Sequence, residues 1–465
     1  RTAGPDRLRT AISYPDIRRI TTRTGVHLHG TRPTRRPGDR GRGPGPARRL
    51  PHSLQRGIPR SQGPADGPPQ RTGHHASAHR TARRCLATGG TVTPVSSEDG
   101  QTFSEGERAA MTRAVSLARR GLGTVAPNPV VGAVVLDHAG RQVGEGWHQK
   151  AGGPHAEVHA LRAAGSLAEG GTAVVTLEPC SRQGRTGPCT QALLDAGIRR
   201  VIFAVPDPTL SGVGAAALHA AGIDVRSGLC EERAAEVNHA WLTSAVTRRP
   251  HVTLKLASTL DGRIAARDGS SRWITGPPAR RDTHLLRART DAIAVGSTTV
   301  LIDDPELTAR SATGRPRTRQ PVRVVFDRRL RTPADSRLAS DGAAPTWILT
   351  TRSAGDKPLG KAELITVDPG SGFLTTALHE LYDRGIRSLL VEGGATLAGA
   401  LLTEALVDRI IWYSAARLLG QDGAPAIRGL DVPSCGVAPS FRVLGTRRLG
   451  EDVRTVLEPE SARGK

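Results

Sequence analysis

The strongest constraint on the fold is a rhythm. Strand-length apolar runs alternate with helix-length amphipathic segments along most of the chain. Ser104 followed by Glu107 is a capping-box pattern ahead of a helix that runs to Arg119. A loop over 121–129 leads to strands at 130–136 and Gln142–Trp147, read as a hairpin. Next come a helix at 155–164, a buried strand Thr172–Leu177, a helix at 186–196, a strand Arg200–Val205, a helix at 212–221 and a short strand at 223–226. After the connector Arg248-Arg249-Pro250 the series resumes. Strands are predicted at 251–257, 291–295, 321–326, Thr346–Thr350, Ser388–Val391 and 409–414, and helices at 277–288, Phe373–Asp383 and 395–404. Alternation of this kind predicts α/β layers with helices covering the faces of a sheet. Two globular units are expected, 104–247 and 250–460, and no tandem repeat relates them.

Charge sorts the partners. The 465 residues carry a formal net charge of +22, but 19 of the 60 arginines, and only the acids Asp6, Asp16, Asp39 and Asp66, lie in the first 90 positions. That stretch alone holds +15, leaving +7 for the rest, so the body does not suggest a polyanion partner. Aromatic residues are 3% of the chain, which argues against a surface that stacks successive bases. Residues 1–100, rich in Arg, Pro and Gly, lack either periodicity and are expected to be disordered. The reading favoured for them is an over-extended start, with translation beginning near Val92–Val95. A nucleic-acid-binding arm and a transit peptide are the alternatives. No run of about 18 apolar residues is present, so no membrane-spanning helix is expected. Five scattered cysteines, Cys85, Cys180, Cys189, Cys230 and Cys435, do not form a disulfide framework and suit a reducing cytoplasm.

Two segments of the first unit carry chemistry: His155-Ala-Glu157, and Cys180 and Cys189 with eight residues between them. Zinc accepts imidazole and thiolate, and a catalytic zinc uses three protein ligands and leaves a position for water. His155, Cys180 and Cys189 make such a set, and Glu157 is free to shuttle protons. Both segments fall where a loop enters a helix, whose dipole favours thiolate. Two core cysteines or a structural zinc remain as alternatives, although a structural site closes with four ligands. In the second unit, Val391-Glu392-Gly393-Gly394-Ala395-Thr396 runs from a buried strand through two glycines into a helix. Its free amides would suit a pyrophosphate, and a turn that needs glycine for geometry alone is the plainer reading.

Longer motifs now decide. Asn128-Pro-Val-Val-Gly, Gly146-Trp-His148, Pro154-His-Ala-Glu-Val-His-Ala-Leu and Thr176-Leu-Glu-Pro-Cys-Ser-Arg-Gln-Gly-Arg-Thr-Gly-Pro-Cys189 resemble the deaminase half of the bacterial RibD family of riboflavin biosynthesis. Leu254-Lys-Leu-Ala-Ser-Thr-Leu-Asp-Gly-Arg, Ser271-Arg-Trp-Ile-Thr, Leu285-Leu-Arg287-Ala-Arg and the stretch from Ser297 to Arg310 resemble its reductase half. The resemblance implies a cytidine-deaminase-like α/β/α domain followed by a dihydrofolate-reductase-like α/β domain. It implies zinc-dependent hydrolytic deamination of 2,5-diamino-6-ribosylamino-4(3H)-pyrimidinone 5′-phosphate, then NADPH reduction of the ribosyl chain to ribityl. By the same resemblance Glu157 is catalytic and Asn128, His148 and Arg185 contact the first substrate. Ala257, Trp273, Thr299, Asp303, Gly394, Ala395, Thr396, Leu397, Ala398, Gly399 and Ala400 would contact NADPH. Ser271, Arg287, Leu307, Arg310 and Glu392 would contact the second substrate.

Arginine also has a physical reason to sit there, since guanidinium binds phosphate bidentately. Solvated faces are the alternative for Arg287 and Arg310. Arg328, Arg329 and Arg331 are candidates for the cofactor's 2′-phosphate, or simply a basic loop. Lys255 and Asp303 are candidates for proton transfer, and Asp207 is either a family loop residue or a turn former. Arg182 stands where the family usually has His, which alters one substrate contact. The partner is thus a small phosphorylated pyrimidine, not nucleic acid or membrane, and a homo-oligomer is expected. A nucleic-acid deaminase with an arginine-rich handle and a non-enzymatic zinc module are the competing readings. The Cys spacing and the whole second unit oppose the first, and the intact Glu157 opposes the second.

Overall fold

A computed structural model describes residues 102–460 except 184–186, 211, 356, 369 and 371. The expectations for 1–100, for Cys85 and for Arg185 fall outside the described residues. The first sheet and its helices come in the order α1 (Glu105–Ala118), β1 (Gly132–Leu136), β2 (Gln142–Trp147), α2 (Ala156–Ala164), β3 (Thr172–Leu177), α3 (Cys189–Asp195), β4 (Arg200–Val205), α4 (Val213–Ala220), β5 (Asp224–Ser227) and α5 (Glu231–Thr247). The strands lie in the order β2-β1-β3-β4-β5, and β1 alone runs antiparallel to the other four. One face is covered by α1 and α5, where Met111, Val115 and Val237 pack on Val134, Val174 and Ile202. On the other face Ala156, Ala160, Leu193 and Leu218 of α2, α3 and α4 pack on Val135 and Val175. With both faces covered, β1, β3 and β4 are apolar without alternation.

The capping box appears as expected: the Glu107 amide donates to Ser104 Oγ and the Ser104 amide to the Glu107 carboxylate. Helix α5 was not anticipated. Its buried residues are Ala234, Val237, Asn238 and Ser244, so it lacks the large apolar stripe by which a helix is recognised.

The second sheet follows from β6 (His251–Thr259), β7 (Arg263–Ala265), α6 (Pro277–Arg289), β8 (Ala292–Gly296), α7 (Ser297–Asp303), β9 (Val322–Phe326), α8 (Arg337–Ser340), β10 (Thr346–Thr350), β11 (Glu363–Thr366), α9 (Phe373–Asp383), β12 (Ser388–Val391), α10 (Ala395–Thr403), β13 (Arg409–Ala415), β14 (Ala424–Pro425), β15 (Phe441–Leu449) and β16 (Asp452–Pro459). Its nine strands run β11-β10-β9-β8-β12-β6-β13-β16-β15. All are parallel from β11 to β13, and the β15–β16 hairpin closes the far edge antiparallel. The hairpin too escaped the sequence reading, because arginines interrupt Phe441–Leu449 and most of that strand is exposed.

Two glycines set the approach of α2 to the first sheet. A Cβ on Gly144 would lie 2.2 Å from the Ala160 carbonyl oxygen, and one on Gly146 would lie 2.6 Å from that of Ala156. Replacing Gly144 by Ala should therefore push α2 away and destabilise the fold by about 1–3 kcal/mol. Gly436→Ala, where a Cβ meets nothing within 4 Å, should stay within about 0.5 kcal/mol of the parent. Denaturant unfolding of the two variants against the parent checks both.

Candidate active sites

The close packing of α2 on β2 carries His155 and Glu157 to the sheet's carboxyl edge. His155 is the N-cap of α2 in extended conformation, and Glu157 stands in the first turn. Cys180 follows β3, and Cys189 opens α3. One donor atom from each of His155, Cys180 and Cys189 lies within 4.8 Å of the others. His155 Nδ1 is 3.1 Å from Cys189 Sγ and 3.5 Å from Cys180 Sγ, and the Cys189 amide donates to Cys180 Sγ at 3.4 Å. The Cys189 thiol, the His155 ring and that amide hold the Cys180 thiol down to about 4, against burial. The pair with Cys180 and burial push the Cys189 thiol up.

Glu157 is 4% exposed, and its Oε2 has no partner among the described residues. Burial pushes its carboxyl up. Two thiols, an imidazole and an orphaned carboxylate oxygen beside them fit a zinc ion with an open position, and no fourth His, Cys, Asp or Glu joins the set among the described residues.

His148, 2% exposed, faces His155 edge-on at 5.3 Å. Its Nδ1–H donates to the Pro154 carbonyl at 3.0 Å, so its Nε2 accepts from Asn128 Nδ2 at 3.1 Å. Burial lowers the ring's pKa and keeps it neutral. Asn128 and His148 are thus locked as a pair beside the donor set. Glu178, 3% exposed, accepts from the amides of Asp207 and Ala215 at 3.2 and 3.0 Å, which anchors the segment that presents Cys180. Asp207 is a turn former, with Oδ1 accepting from the amide and hydroxyl of Thr209. Arg182 donates to the Thr209 carbonyl at 3.1 Å.

The second site lies at the carboxyl ends of β6, β8 and β12, where open α/β sheets bind ligands. A cavity of about 530 Å³ is lined there by Lys255, Ala257, Ser271, Trp273, Arg287, Asp303, Leu307, Arg310 and Glu392 among others. Arg287 donates bidentately to Glu392 at 2.6 and 2.8 Å and gives Nη1–H to the Thr308 carbonyl at 2.9 Å. One edge of the guanidinium is thus given to Glu392, and two of its five N–H groups are uncommitted among the described residues where Arg287 lines the cavity. Burial raises the Glu392 carboxyl, but the Arg287 charge and its hydrogen bonds, with help from Lys255, outweigh it and hold the carboxyl below the ordinary range. Burial pushes the Lys255 ammonium down against the pull of Glu392. Arg310 pairs with Glu306 and donates to the Gly314 carbonyl. Trp273 walls the mouth with the Arg280 guanidinium 4.4 Å over its ring.

The stretch 394–400 divides. Gly394 caps α10, and its Cβ would lie 3.2 Å from Thr299 Oγ1, so Thr299 stands beside the helix entrance with Ala395 and exposed Thr396. Gly393 has φ +85° and open space where a Cβ would be. No side chain caps α10, and its first-turn amides fit a pyrophosphate. Leu397 and Ala398 pack their side chains in the core, with Ala400 against it, so they meet the helix entrance through backbone alone. Gly399 is required by packing: its Cβ would meet the Arg428 carbonyl at 2.0 Å. Leu307 likewise buries its side chain in the core and leaves its backbone to the cavity. Arg331 donates to Ser297 Oγ and Thr298 Oγ1 at 2.8 and 3.1 Å, at the start of α7, while Arg328 and Arg329 are exposed. Sequence reasoning missed His284, which lines the cavity; its signal was a spacing of one helical turn from Arg287.

Comparison with known proteins agrees with both halves. The family of the cytidine and deoxycytidylate deaminase zinc-binding region matches residues 104–205, and that of the RibD C-terminal domain matches 250–455. Riboflavin biosynthesis protein RibD of Escherichia coli is 43% identical over 357 residues, 74% of this chain and 96% of that protein. That of Corynebacterium ammoniagenes is 46% identical over 313 residues, 67% of this chain and 86% of its own. The solved structure of Acinetobacter baumannii RibD aligns with TM-score 0.71 at 39% identity, covering 77% of this chain and 99% of that one. A deaminase/reductase structure from Thermotoga maritima aligns with TM-score 0.69 at 34% identity, covering 76% and 99%.

Glu392→Gln should leave the Arg287 charge buried without its counter-ion and destabilise the protein by about 3–5 kcal/mol. Because the folded carboxyl is depressed, its contribution is present above the ordinary carboxylate range and lost as the pH falls through it. The gap in stability between parent and variant should therefore narrow in acid, as urea titrations at several pH values would read.

Proposed function

The chain belongs to the RibD family of bifunctional riboflavin-biosynthesis deaminase/reductases, and from that membership we propose how the work divides among its residues. Residues 104–247 form the zinc-dependent deaminase domain and 250–460 the NADPH-dependent reductase domain. His155, Cys180 and Cys189 hold zinc. When bound, zinc supplies the Lewis acidity that makes water a nucleophile near neutral pH, and NADPH supplies hydride. The observation that carries this reading is the convergence of three donors within 4.8 Å beside the partnerless oxygen of buried Glu157.

Glu157 takes the proton from the attacking water and returns it to the departing amine, a role open to a carboxyl with one uncommitted oxygen. Asn128 and neutral His148 hold the pyrimidine, and Arg185 reaches its ribosyl phosphate. In the reductase domain Ala257, Trp273, Thr299, Asp303 and the 393–396 turn receive NADPH. Ser271, Arg310 and the Leu307 backbone hold the ring-opened sugar phosphate. Arg287 and Glu392 shape the floor of that pocket through their mutual pair, and Lys255 or Asp303 moves the proton. We read the enzyme as a cytoplasmic homo-oligomer acting on a small phosphorylated pyrimidine. No described helix is long and apolar enough to cross a membrane.

Glu157→Gln should lower ammonia release from the diaminopyrimidine ribosyl phosphate by about 10²–10⁴-fold and leave NADPH oxidation on the deaminated compound unchanged. Stripping zinc with a chelator should separate the two activities in the same way. Retained deamination in the variant, or a chelator-insensitive first step, would overturn the assignment.

A further inference from the structure

We propose that His284 is a substrate-contacting specificity residue of the reductase site, a neutral imidazole whose Nε2 accepts a hydrogen bond from a hydroxyl of the substrate's ribosyl chain. The inference rests on the family reading above. It begins with placement: His284 stands one turn before Arg287 on α6, and both face the same cavity. Its Nδ1 lies 3.2 Å from the Thr308 carbonyl, the oxygen that also accepts from Arg287 Nη1. A carbonyl only accepts, so Nδ1 carries the proton and Nε2 presents a lone pair. Among the described residues that nitrogen has no partner.

Its neighbours narrow what it reads. Both Glu392 oxygens are occupied by Arg287, and burial and the Arg287 charge oppose protonation of His284 more than the Glu392 charge favours it. The charged groups around the cavity are the cations Lys255, Arg272, Arg280, Arg287, Arg310 and Arg337, suited to anionic oxygens, and the carboxylates Asp303, Asp304, Glu306 and Glu392. A bare imidazole nitrogen among them is complementary to a donor, which a phosphate lacks and a sugar hydroxyl has. Thr308 is two residues from Arg310, which lines the cavity while paired with Glu306. His284 is therefore next to the expected phosphate end, where the ribosyl chain lies.

Two conservative variants separate the two ring nitrogens. Asn at 284 retains a donor near the Nδ1 position for Thr308 but does not extend to Nε2, and Gln restores an acceptor at the longer reach. With the deaminated substrate and saturating NADPH, His284→Asn should raise KM about 5–10-fold with kcat within about twofold, the mark of a lost binding contact. His284→Gln should stay close to the parent, and NADPH affinity measured by fluorescence should be the same in all three. An unchanged KM in His284→Asn overturns the proposal. So does an equal rise in both variants accompanied by lowered melting temperature, which would make the ring a packing element. If the parent itself oxidises no NADPH with this substrate, the family reading fails instead.

Discussion

How near α2 lies to β2 governs the chemistry of the first sheet. Helix and strand touch backbone to backbone because Gly144 and Gly146 carry no side chain on the facing surface. That contact brings the N-terminus of α2 level with the ends of β3 and α3, so His155 reaches two cysteines that follow it by 25 and 34 positions. The same approach buries Glu157. A carboxyl placed there loses water without gaining a full set of donors, a cost the fold bears because the uncommitted oxygen faces the donor set. Around it, Glu178 and the Asn128–His148 pair use their hydrogen bonds to hold position, which restrains the segments that carry the donor set.

The second site solves a different electrostatic problem. Its cavity gathers several cations from positions 255 to 337, as a phosphorylated substrate requires, and such a cluster would repel itself if all were free. Glu392 neutralises Arg287 from within the sheet and pulls on Lys255, while Glu306 pairs with both Arg310 and Arg337. Arg287 thereby serves the pocket as part of its floor. The proton-bearing nitrogen of His284 is committed to the same carbonyl that Arg287 uses, which couples the ring's orientation to that floor.

Much was legible beforehand. The α/β class, the bounds of Gln142–Trp147, Thr172–Leu177, Arg200–Val205, Thr346–Thr350, Phe373–Asp383 and Ser388–Val391, and the grouping of His155, Cys180 and Cys189 all followed from local pattern. These are features written in short range: apolar runs of strand length, a capping box, and ligand types whose chemistry restricts their use. The misses share a cause as well. Helix α5 buries small and polar residues, and the β15–β16 hairpin faces solvent with arginines.

The sequence by itself determined which groups could do chemistry here, because imidazole, thiolate, carboxylate and guanidinium are properties of residue type and spacing. Only the tertiary structure decided which of their atoms remain available. Arg287 donates to Glu392 and Thr308, Gly399 makes room for a carbonyl, and His284 turns one nitrogen to Thr308 and one to the cavity. Each outcome depends on a partner distant in sequence, and a hydrogen-bonding atom committed to one partner is lost to another.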